Sequence, residues 1–261
     1  MLVVDGVSKQ FRGLKALDDV SIAVPTGQIR GIVGPNGSGK TTLFNVISGL
    51  YRPTTGRVRF GGEDVTNRPP YRLSRAGMSR TFQNLRLFGD LTVRENVLVA
   101  LDRTRTLSAW RYLLAPLSVV RRDRDLRRRA DEVLDRYGLI AFADLPPKSL
   151  PYGTQRRVEI ARAMAAAPTL LLLDEPAAGL NGEEVRKLGE MVRSIRDTGI
   201  TVVIIEHNMG LVMSLCERVT VLASGKVIAE GTPAVVAATP AVIEAYLGET
   251  SLPSVTEEAN R

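Results

Sequence analysis

The chain has 261 residues, of which 44% are hydrophobic, so it can form one large domain or a core with a subdomain. Its net charge of +7 suggests two kinds of acidic partner, nucleic acid and an anionic membrane surface. The single Cys216 excludes an intramolecular disulfide, and no uncharged apolar run approaches the roughly 20 residues that span a bilayer, so we expect a soluble or membrane-peripheral protein.

The first part of the chain predicts a small antiparallel sheet. Residues 2–8 and 20–24 are predicted strands, with a turn at 11–14 between them. Residues 56–60 alternate polar and apolar side chains, as a half-exposed antiparallel strand does. We expect this sheet to lie against the core of the domain.

A glycine-rich loop follows the predicted buried strand 28–33 and precedes the predicted helix 43–50. It fits the phosphate-binding pattern G-x-x-x-x-G-K-[ST] without a gap. Its glycines permit turns that bring backbone N–H groups against phosphate oxygens, Lys40 supplies a positive charge, and the Thr41 hydroxyl can ligate Mg²⁺. A turn that binds nothing is the alternative, and the strand–loop–helix context disfavours it. The predicted nucleotide-binding residues are Gly34, Pro35, Asn36, Gly37, Ser38, Gly39, Lys40, Thr41 and Thr42.

The middle of the chain, from about residue 89 to 150, has a helical pattern. Thr92 is a predicted N-cap, and Glu95 completes a capping box. Residues 121–129 form the strongest charge run of the sequence. A nucleic-acid-binding arm is one interpretation, but the interleaved aspartates favour a solvated helical face.

The second half alternates helices with strands, which predicts an α/β fold with a parallel, doubly wound sheet. Residues 155–166 and 183–197 are predicted helices. The apolar run 170–173 is a predicted buried strand, and residues 200–205 form another that leads into Glu206 and His207.

Two acids, Asp174 and Glu175, end the first of these strands. Successive strand residues point to opposite faces, so the two cannot perform the same task. Asp174 is suited to hold Mg²⁺, and Glu175 can orient the attacking water, although a surface acid pair opening a loop is the alternative. His207, the only histidine, can reach a terminal phosphate as a donor, although a lone histidine is usually structural. Gln83 is undistinguished on its own.

With these motifs in this order, the sequence resembles the ATP-binding subunits of ABC transporters along nearly its whole length. The matching segments are the Walker A motif at 34–42, the Q-loop at Gln83, the signature at 150–155, the Walker B segment at 170–175, the D-loop at 178–181 and the switch histidine at His207. The resemblance implies a P-loop NTPase with a RecA-like parallel sheet, a small antiparallel β subdomain and an inserted α-helical subdomain at about 89–154. It implies one domain over 1–248 and a polar, flexible tail at 249–261.

The resemblance also implies cofactors and residue roles. ATP and Mg²⁺ are the expected cofactors, and Phe11 falls where the family stacks a ring on adenine, with a core phenylalanine as the competing interpretation. The implied catalytic residues are Glu175, His207, Lys40 and Gln83. The implied Mg²⁺ site is Thr41, Gln83 and Asp174. The implied signature residues, which act on a partner's nucleotide, are Tyr152, Gly153, Thr154 and Gln155. Two positions depart from the family pattern: Pro151 replaces the signature serine, and Thr154 stands where this branch often has Gln.

Within the family, the sequence is most similar to the ATPase subunits of branched-chain amino acid importers. Residues 11–17, 79–83, 152–162 and 227–248 carry this similarity. It implies a peripheral protein on the cytoplasmic face of the inner membrane, and no nucleic acid as a partner. The implied partners are a second ATPase subunit in a head-to-tail dimer, two transmembrane permease subunits and, indirectly, a solute-binding protein.

Three alternatives remain at this point. A lipopolysaccharide-export ATPase has a similar core, but the segment 227–248 speaks against it. A soluble ABC ATPase acting on DNA or ribosomes generally joins two cassettes or carries a coiled coil, and neither feature is present. A non-catalytic binding module is disfavoured by the presence of Lys40, Glu175 and His207.

Overall fold

The computed structural model describes residues 1–102 and 116–250, without the side chains of 116–122 and 247–250. The strands are β1 Leu2–Phe11, β2 Leu14–Val24, β3 Ile29–Val33, β4 Thr55–Phe60, β5 Glu63–Asp64, β6 Met78–Arg80, β7 Leu170–Asp174, β8 Thr201–Ile205, β9 Arg218–Ala223 and β10 Lys226–Gly231. The helices are α1 Lys40–Ile47, α2 Pro70–Arg75, α3 Val93–Leu101, α4 Pro116–Arg136, α5 Tyr152–Ala165, α6 Gly182–Asp197, α7 Met209–Leu215, α8 Pro233–Ala237 and α9 Pro240–Thr250, with 3₁₀ turns at Ile140–Phe142 and Pro147–Ser149.

A six-stranded sheet in the order β10-β9-β3-β8-β7-β6 forms the centre of the molecule. Its strands are parallel except for β10, which pairs antiparallel with β9. Every residue of β3, β7 and β8 is buried, which explains why these strands are almost continuously apolar. The predicted α/β fold is therefore confirmed.

The strand register brings three functional segments to one edge of this sheet. Ile32 of β3 pairs with Ile205 of β8, and Ile205 pairs with Asp174 of β7. Neighbouring strands are about 4.8 Å apart, so the segments that follow β3, β7 and β8 emerge side by side. Ligands of open α/β sheets bind at this carboxyl edge.

A four-stranded antiparallel sheet, in the order β2-β1-β4-β5, covers one face of the core. The predicted strands 2–8 and 20–24 were too short, because β1 and β2 continue to a tight turn at Arg12 and Gly13. Both turn residues have positive φ, 39° and 94°, which suits the right-handed twist of a two-residue hairpin. Phe11 therefore lies at the tip of a long hairpin.

Two apolar clusters lie on opposite faces of the parallel sheet. Leu170 and Leu172 of β7 pack with the antiparallel sheet and α1, whereas Leu171 and Leu173 pack with α5 and α6. Strand side chains alternate between faces, so one apolar strand serves both clusters. The parallel sheet is thereby fixed between two layers.

The helical pattern predicted over about 89–150 corresponds to α3, α4 and the two 3₁₀ turns, and residues 103–115 lie outside the described residues. The capping box is confirmed: Thr92 Oγ1 accepts from the Glu95 N–H over 3.2 Å, and the Glu95 carboxylate accepts from the Thr92 N–H over 2.8 Å. The charged residues at 123–125 and 127–129 are exposed on α4, as a solvated helical face requires.

The C-terminal end of the described chain is helical, since α9 continues to Thr250. Of the tail predicted at 249–261, residues 251–261 lie outside the described residues. Among the described residues, no helix has the length and apolar character that crossing a membrane requires.

Candidate nucleotide site

The loop between β3 and α1 closes tightly at two glycines. Gly34 has φ 150°, and a Cβ there would lie 2.0 Å from the carbonyl oxygen of Leu222. Gly39 has φ 103°, and a Cβ there would lie 2.6 Å from the carbonyl oxygen of Ala16. Any side chain at either position would collide with backbone, so the loop conformation depends on glycine here.

Lys40 begins α1, and its ammonium group is turned back into the loop. Nζ donates to the carbonyl oxygens of Gly34 at 2.7 Å and Pro35 at 2.8 Å, and only 7% of the residue is exposed. A positive charge is therefore fixed at the N-terminus of a helix, beside backbone N–H groups. This combination is suited to bind phosphate.

Asp174, the last residue of β7, is 4% exposed and is paired with Arg80. Arg80 Nη2 donates to Asp174 Oδ2 over 2.7 Å, while Nη1 donates to Asn45 Oδ1 on α1 and to Ser48 Oγ at its C-cap. Sequence reasoning gave Arg80 no role. The signal available was a charged residue at the end of a short buried strand.

Glu175 leaves the strand through an uncommon backbone conformation. Its φ is +46°, and its N–H donates to the carbonyl oxygen of Ile205 over 3.0 Å. A non-glycine residue in this region is strained unless its surroundings fix it, and such residues concentrate at functional sites. The turn separates Glu175 from Asp174, and Glu175 retains 19% side-chain exposure.

Three predicted catalytic side chains meet around Glu175. The side-chain amide of Gln83 donates to Glu175 Oε2 over 2.9 Å, and His207 Nδ1 lies 3.8 Å from the same oxygen. The His207 side chain is 62% exposed, so it remains accessible to a ligand at the sheet edge. The structure thus assembles an acid, an amide and an imidazole at one point.

Glu206 supports the segment that carries His207, a role that sequence reasoning missed. One carboxylate oxygen accepts from the N–H of Ala177 over 2.7 Å, and the other accepts from the N–H groups of His207 and Asn208. Burial raises the pKa of Glu206, and these backbone hydrogen bonds oppose that effect. An acid directly after a fully buried, mostly apolar strand was the available signal.

Phe11 is a surface residue, so the core interpretation is not supported. It is 38% exposed and belongs to neither apolar cluster. Its ring meets that of Tyr51 edge to face with centroids 5.3 Å apart, and Lys9 Nζ lies 4.8 Å from its centroid. An exposed, supported ring is suited to stacking on a planar ligand.

The signature turn, residues 151–153, starts α5 and packs on its own chain. Pro151 and Tyr152 are exposed, whereas Gly153 is buried and Thr154 and Gln155 are half-buried. A Cβ on Gly153 would lie 2.5 Å from Glu184 Oε1 in α6. Pro151 and Tyr152, rather than Gly153, thus present the larger exposed surface.

The donors predicted for Mg²⁺ have suitable chemistry. Thr41, Gln83 and Asp174 offer a hydroxyl, an amide and a carboxylate oxygen, and the first two are exposed. Among the described residues no cluster of three acids, histidines or cysteines could hold a metal by itself. Mg²⁺ often binds through one or two carboxylates together with substrate phosphates.

Comparison with known proteins identifies the family of this chain. A family model described as ABC transporter matches residues 17–178, and a second, described as branched-chain amino acid ATP-binding cassette transporter, matches residues 226–250. The chain is 41% identical over 250 residues to the high-affinity branched-chain amino acid transport ATP-binding protein BraF of Pseudomonas aeruginosa, covering 95% of this chain and 98% of that protein. It is 40% identical, with the same coverage, to LivG of Escherichia coli, which has the same description.

Other matches are more distant. The lipopolysaccharide export system ATP-binding protein LptB of Haemophilus influenzae is 34% identical over 95% of this chain and 98% of that protein. A nucleotide-free ATP-binding cassette from an ABC transporter superposes with a TM-score of 0.83 at 33% identity, covering 94% of this chain and 98% of that one. A dimeric cassette in a post-hydrolysis state, bound to ADP and Pi, gives 0.74 at 29% identity, covering 89% and 99%.

Proposed function

This chain belongs to the ABC transporter family of ATP-binding proteins, an ATPase family, and we propose that it drives the import of branched-chain or related amino acids. The match at residues 226–250 carries the substrate assignment, because this segment lies outside the nucleotide motifs and has no catalytic reason to be shared. The lipopolysaccharide-export alternative is less well supported, at 34% identity against 41%.

The P-loop binds the phosphates of ATP in this proposal. Backbone N–H groups of residues 34–40 and the Lys40 ammonium neutralise the phosphate charge, and Phe11 stacks on adenine. Thr41, Asp174 and Gln83 would hold Mg²⁺, which supplies further positive charge at the phosphates when bound. The P-loop and the three residues proposed for Mg²⁺ follow or end β3, β6 and β7, whereas Phe11 ends β1.

Glu175 orients the water that attacks the terminal phosphate. The Gln83 amide donates to one oxygen of its carboxylate over 2.9 Å and fixes that oxygen. The other oxygen can accept a hydrogen bond from the attacking water. His207, 3.8 Å from that carboxylate, donates to the terminal phosphate. The contact of Gln83 with Glu175 is the observation that carries the hydrolytic assignment.

A second ATPase subunit completes the site in a head-to-tail pair. The exposed residues Pro151 and Tyr152 of one chain face the nucleotide held by the other, and the N-terminus of α5 adds its positive dipole. The similarity to a dimeric cassette supports this arrangement. ATP then holds the pair together, and hydrolysis releases it.

A groove next to Gln83 receives the transmembrane permease subunits. It has a volume of about 420 Å³ and lies between α2, β6, α3 and α5. Leu50, Phe88 and Val99 line it with 48%, 48% and 49% exposure, so an apolar segment of a partner can pack there. The protein is then peripheral on the cytoplasmic face, and a periplasmic or extracellular solute-binding protein contacts the permeases.

The test is uptake of radiolabelled leucine, isoleucine and valine by cells that lack this protein. We expect uptake to fall and to return with the parent chain but not with Glu175→Gln, while uptake of an unrelated solute stays constant. Uptake unchanged by the deletion would contradict the substrate assignment. Membrane fractionation with high salt and with nuclease separates a membrane complex from a nucleic-acid-bound protein.

A further inference from the structure

Arg156 lies behind the signature turn, and its side chain is completely buried, with 0% exposure. Nη1 donates to the carbonyl oxygen of Phe82 and to Glu159 Oε2, each over 2.9 Å. Nη2 donates to the carbonyl oxygen of Gln83 over 2.7 Å and to the Tyr152 hydroxyl over 2.9 Å. One guanidinium therefore joins the body of α5, the signature turn and the Q-loop.

Glu159 extends this connection along the Q-loop. Its Oε1 accepts from the Arg86 N–H over 3.3 Å, while Oε2 holds Arg156. A buried ion pair is a weak source of stability, because two apolar side chains of similar volume often do as well. A planar guanidinium adds defined geometry, since its donors point in fixed directions. The pair therefore fixes residues 82–86 relative to α5.

Gln83 links this arrangement to the hydrolytic centre. Its carbonyl oxygen accepts from Arg156, and its side-chain amide donates to Glu175 Oε2 over 2.9 Å. The two contacts are made by one residue, so movement of α5 that displaces the backbone of Gln83 also changes its contact with Glu175. The path from α5 to the acid is continuous.

Tyr152 forms the other end of the path. It is 42% exposed, and its ring packs beside the D-loop, where a Cβ on Gly179 would lie 3.4 Å from Tyr152 Cε1. Its hydroxyl accepts from Arg156, and Arg156 also lies over its ring, 5.6 Å from the centroid. A ligand that contacts the signature turn and displaces Tyr152 therefore also displaces Arg156.

We propose that Arg156 is a positioning residue that couples the signature turn to the hydrolytic centre of its own chain. Contact of this turn with the partner's nucleotide then sets Gln83 against Glu175, so that each chain hydrolyses its ATP only when it is paired. The inference rests on the proposed head-to-tail pairing. Coupling of this kind is a free energy shared between two sites, and the rigid helix with its buried guanidinium is the element that carries it.

The test is the double variant Arg156→Met with Glu159→Met, which removes both buried charges and leaves neither unpaired. We expect the double variant to fold, its kcat to fall by about tenfold or more, and its KM for ATP to stay within about twofold, because the P-loop is untouched. Backbone hydrogen exchange at residues 82–86 should become faster. A role confined to stability would move the melting temperature without this split between kcat and KM.

Arg157→Met is the matched control, since Arg157 lies on the same helix but donates to the carbonyl oxygen of Tyr137. It should keep the parent kcat and the parent exchange at 82–86. If the double variant does not fold, Tyr152→Phe, which removes only the hydroxyl, should lower kcat with the fold intact. The proposal is overturned if the folded double variant has the parent kcat and unchanged exchange at residues 82–86. If the double variant does not fold, the same result with Tyr152→Phe overturns it. A parent chain without ATPase activity would instead contradict the proposed function.

Discussion

Arg80 Nη2 lies 2.7 Å from Asp174 Oδ2, so the acid proposed to hold Mg²⁺ already has a cationic partner in the fold. Both side chains are almost fully buried, at 9% and 5% exposure. Arg80 also binds α1 through Asn45 and Ser48, which ties the phosphate-binding helix to the acid. The charge balance of the site therefore includes a residue outside the recognised motifs.

Arg80→Met tests this balance. Removing one member of a buried ion pair leaves Asp174 without its partner, so the free energy of unfolding without Mg²⁺ should fall by about 3–5 kcal/mol. Mg²⁺ with ATP should then raise the melting temperature more in the variant than in the parent, because the cation replaces the lost charge. Arg80→Lys keeps the positive charge, so its free energy of unfolding should fall by less than that of Arg80→Met. Equal stabilisation of Arg80→Met and parent by Mg²⁺ and ATP would contradict the pairing argument.

Glu175→Gln should abolish most hydrolysis while ATP binding persists. The variant keeps the size of the side chain but loses the charge that polarises water, so kcat should fall by about 10²–10⁴-fold. Steady-state phosphate release and equilibrium ATP binding measure the two effects separately. Lys40→Ala is the contrasting variant and should weaken binding itself. Turnover of Glu175→Gln within threefold of the parent would remove Glu175 from the proposed role.

Phe11→Ala should weaken ATP binding by roughly 1 kcal/mol, the scale of aromatic stacking. The ring is 38% exposed at a hairpin tip, so we expect little change in the melting temperature. Leu14→Ala, across the same turn and 71% exposed, is the matched control and should bind ATP as the parent does. A large drop in melting temperature with unchanged affinity would show that Phe11 acts in packing.

Pro151→Ser should tighten the ATP-bound dimer in the Glu175→Gln background. Serine restores a hydroxyl and an N–H where proline has neither, and a hydrogen bond to a charged group is worth about 1.5–3 kcal/mol. Sedimentation with ATP and Mg²⁺ measures the dimer affinity. Pro151→Ala is the control, because it removes the proline ring without adding a hydroxyl. Equal affinity of the serine and alanine variants would mean that the hydroxyl meets no phosphate.

Gly153→Asp should abolish pairing by placing a carboxylate near the partner's phosphate, and it has a second consequence in this structure. Its side chain would meet Glu184 of its own chain, because even a Cβ lies 2.5 Å from Glu184 Oε1. Loss of pairing in that variant therefore requires a parallel measurement of monomer stability. If Gly153→Asp pairs normally, position 153 does not meet the partner's phosphate.

Glu206→Gln should alter the dependence of stability on pH. Burial raises the pKa of Glu206 above the usual 4.5, so the native state binds its proton more tightly than the unfolded state does. Proton binding at Glu206 therefore adds to the free energy of unfolding below pH 4.5. This contribution is lost as the pH rises through the raised pKa. Glu206→Gln does not titrate, so this loss of stability with rising pH is absent from the variant. Its amide group must face a backbone N–H, which should lower the free energy of unfolding by about 1–3 kcal/mol. Urea unfolding between pH 4 and 8 measures both effects, and parallel profiles would contradict the expected pKa.

Local sequence determined much of the site. The phosphate-binding loop and the capping box at Thr92 depend on residues within a few positions of each other, so spacing alone predicts them. The apolar strand ending in Asp174 and Glu175 was equally clear, because burial on both faces leaves a continuous apolar run. These parts could be placed before any three-dimensional information.

The roles of Arg80, Arg156 and Glu206 could not be predicted in this way. Each is a charged residue with at least one partner far away in the chain, as with Arg80 and Asp174, which are 94 positions apart. Burial of such a group depends on how sheets and helices pack, and a single sequence does not specify that. The order of the parallel strands and the full length of the first hairpin likewise depend on tertiary pairing.

The two-residue turn at Arg12 and Gly13 makes the ring of Phe11 sensitive to chain length. Phe11 is paired with Leu14 directly across that turn, and strand side chains alternate between faces. Inserting one residue into the turn, without altering any side chain, would shift the pairing or bulge the strand and turn the ring away from its present face. The length of this hairpin therefore determines where the Phe11 ring lies, and with it the position of the proposed stacking on adenine.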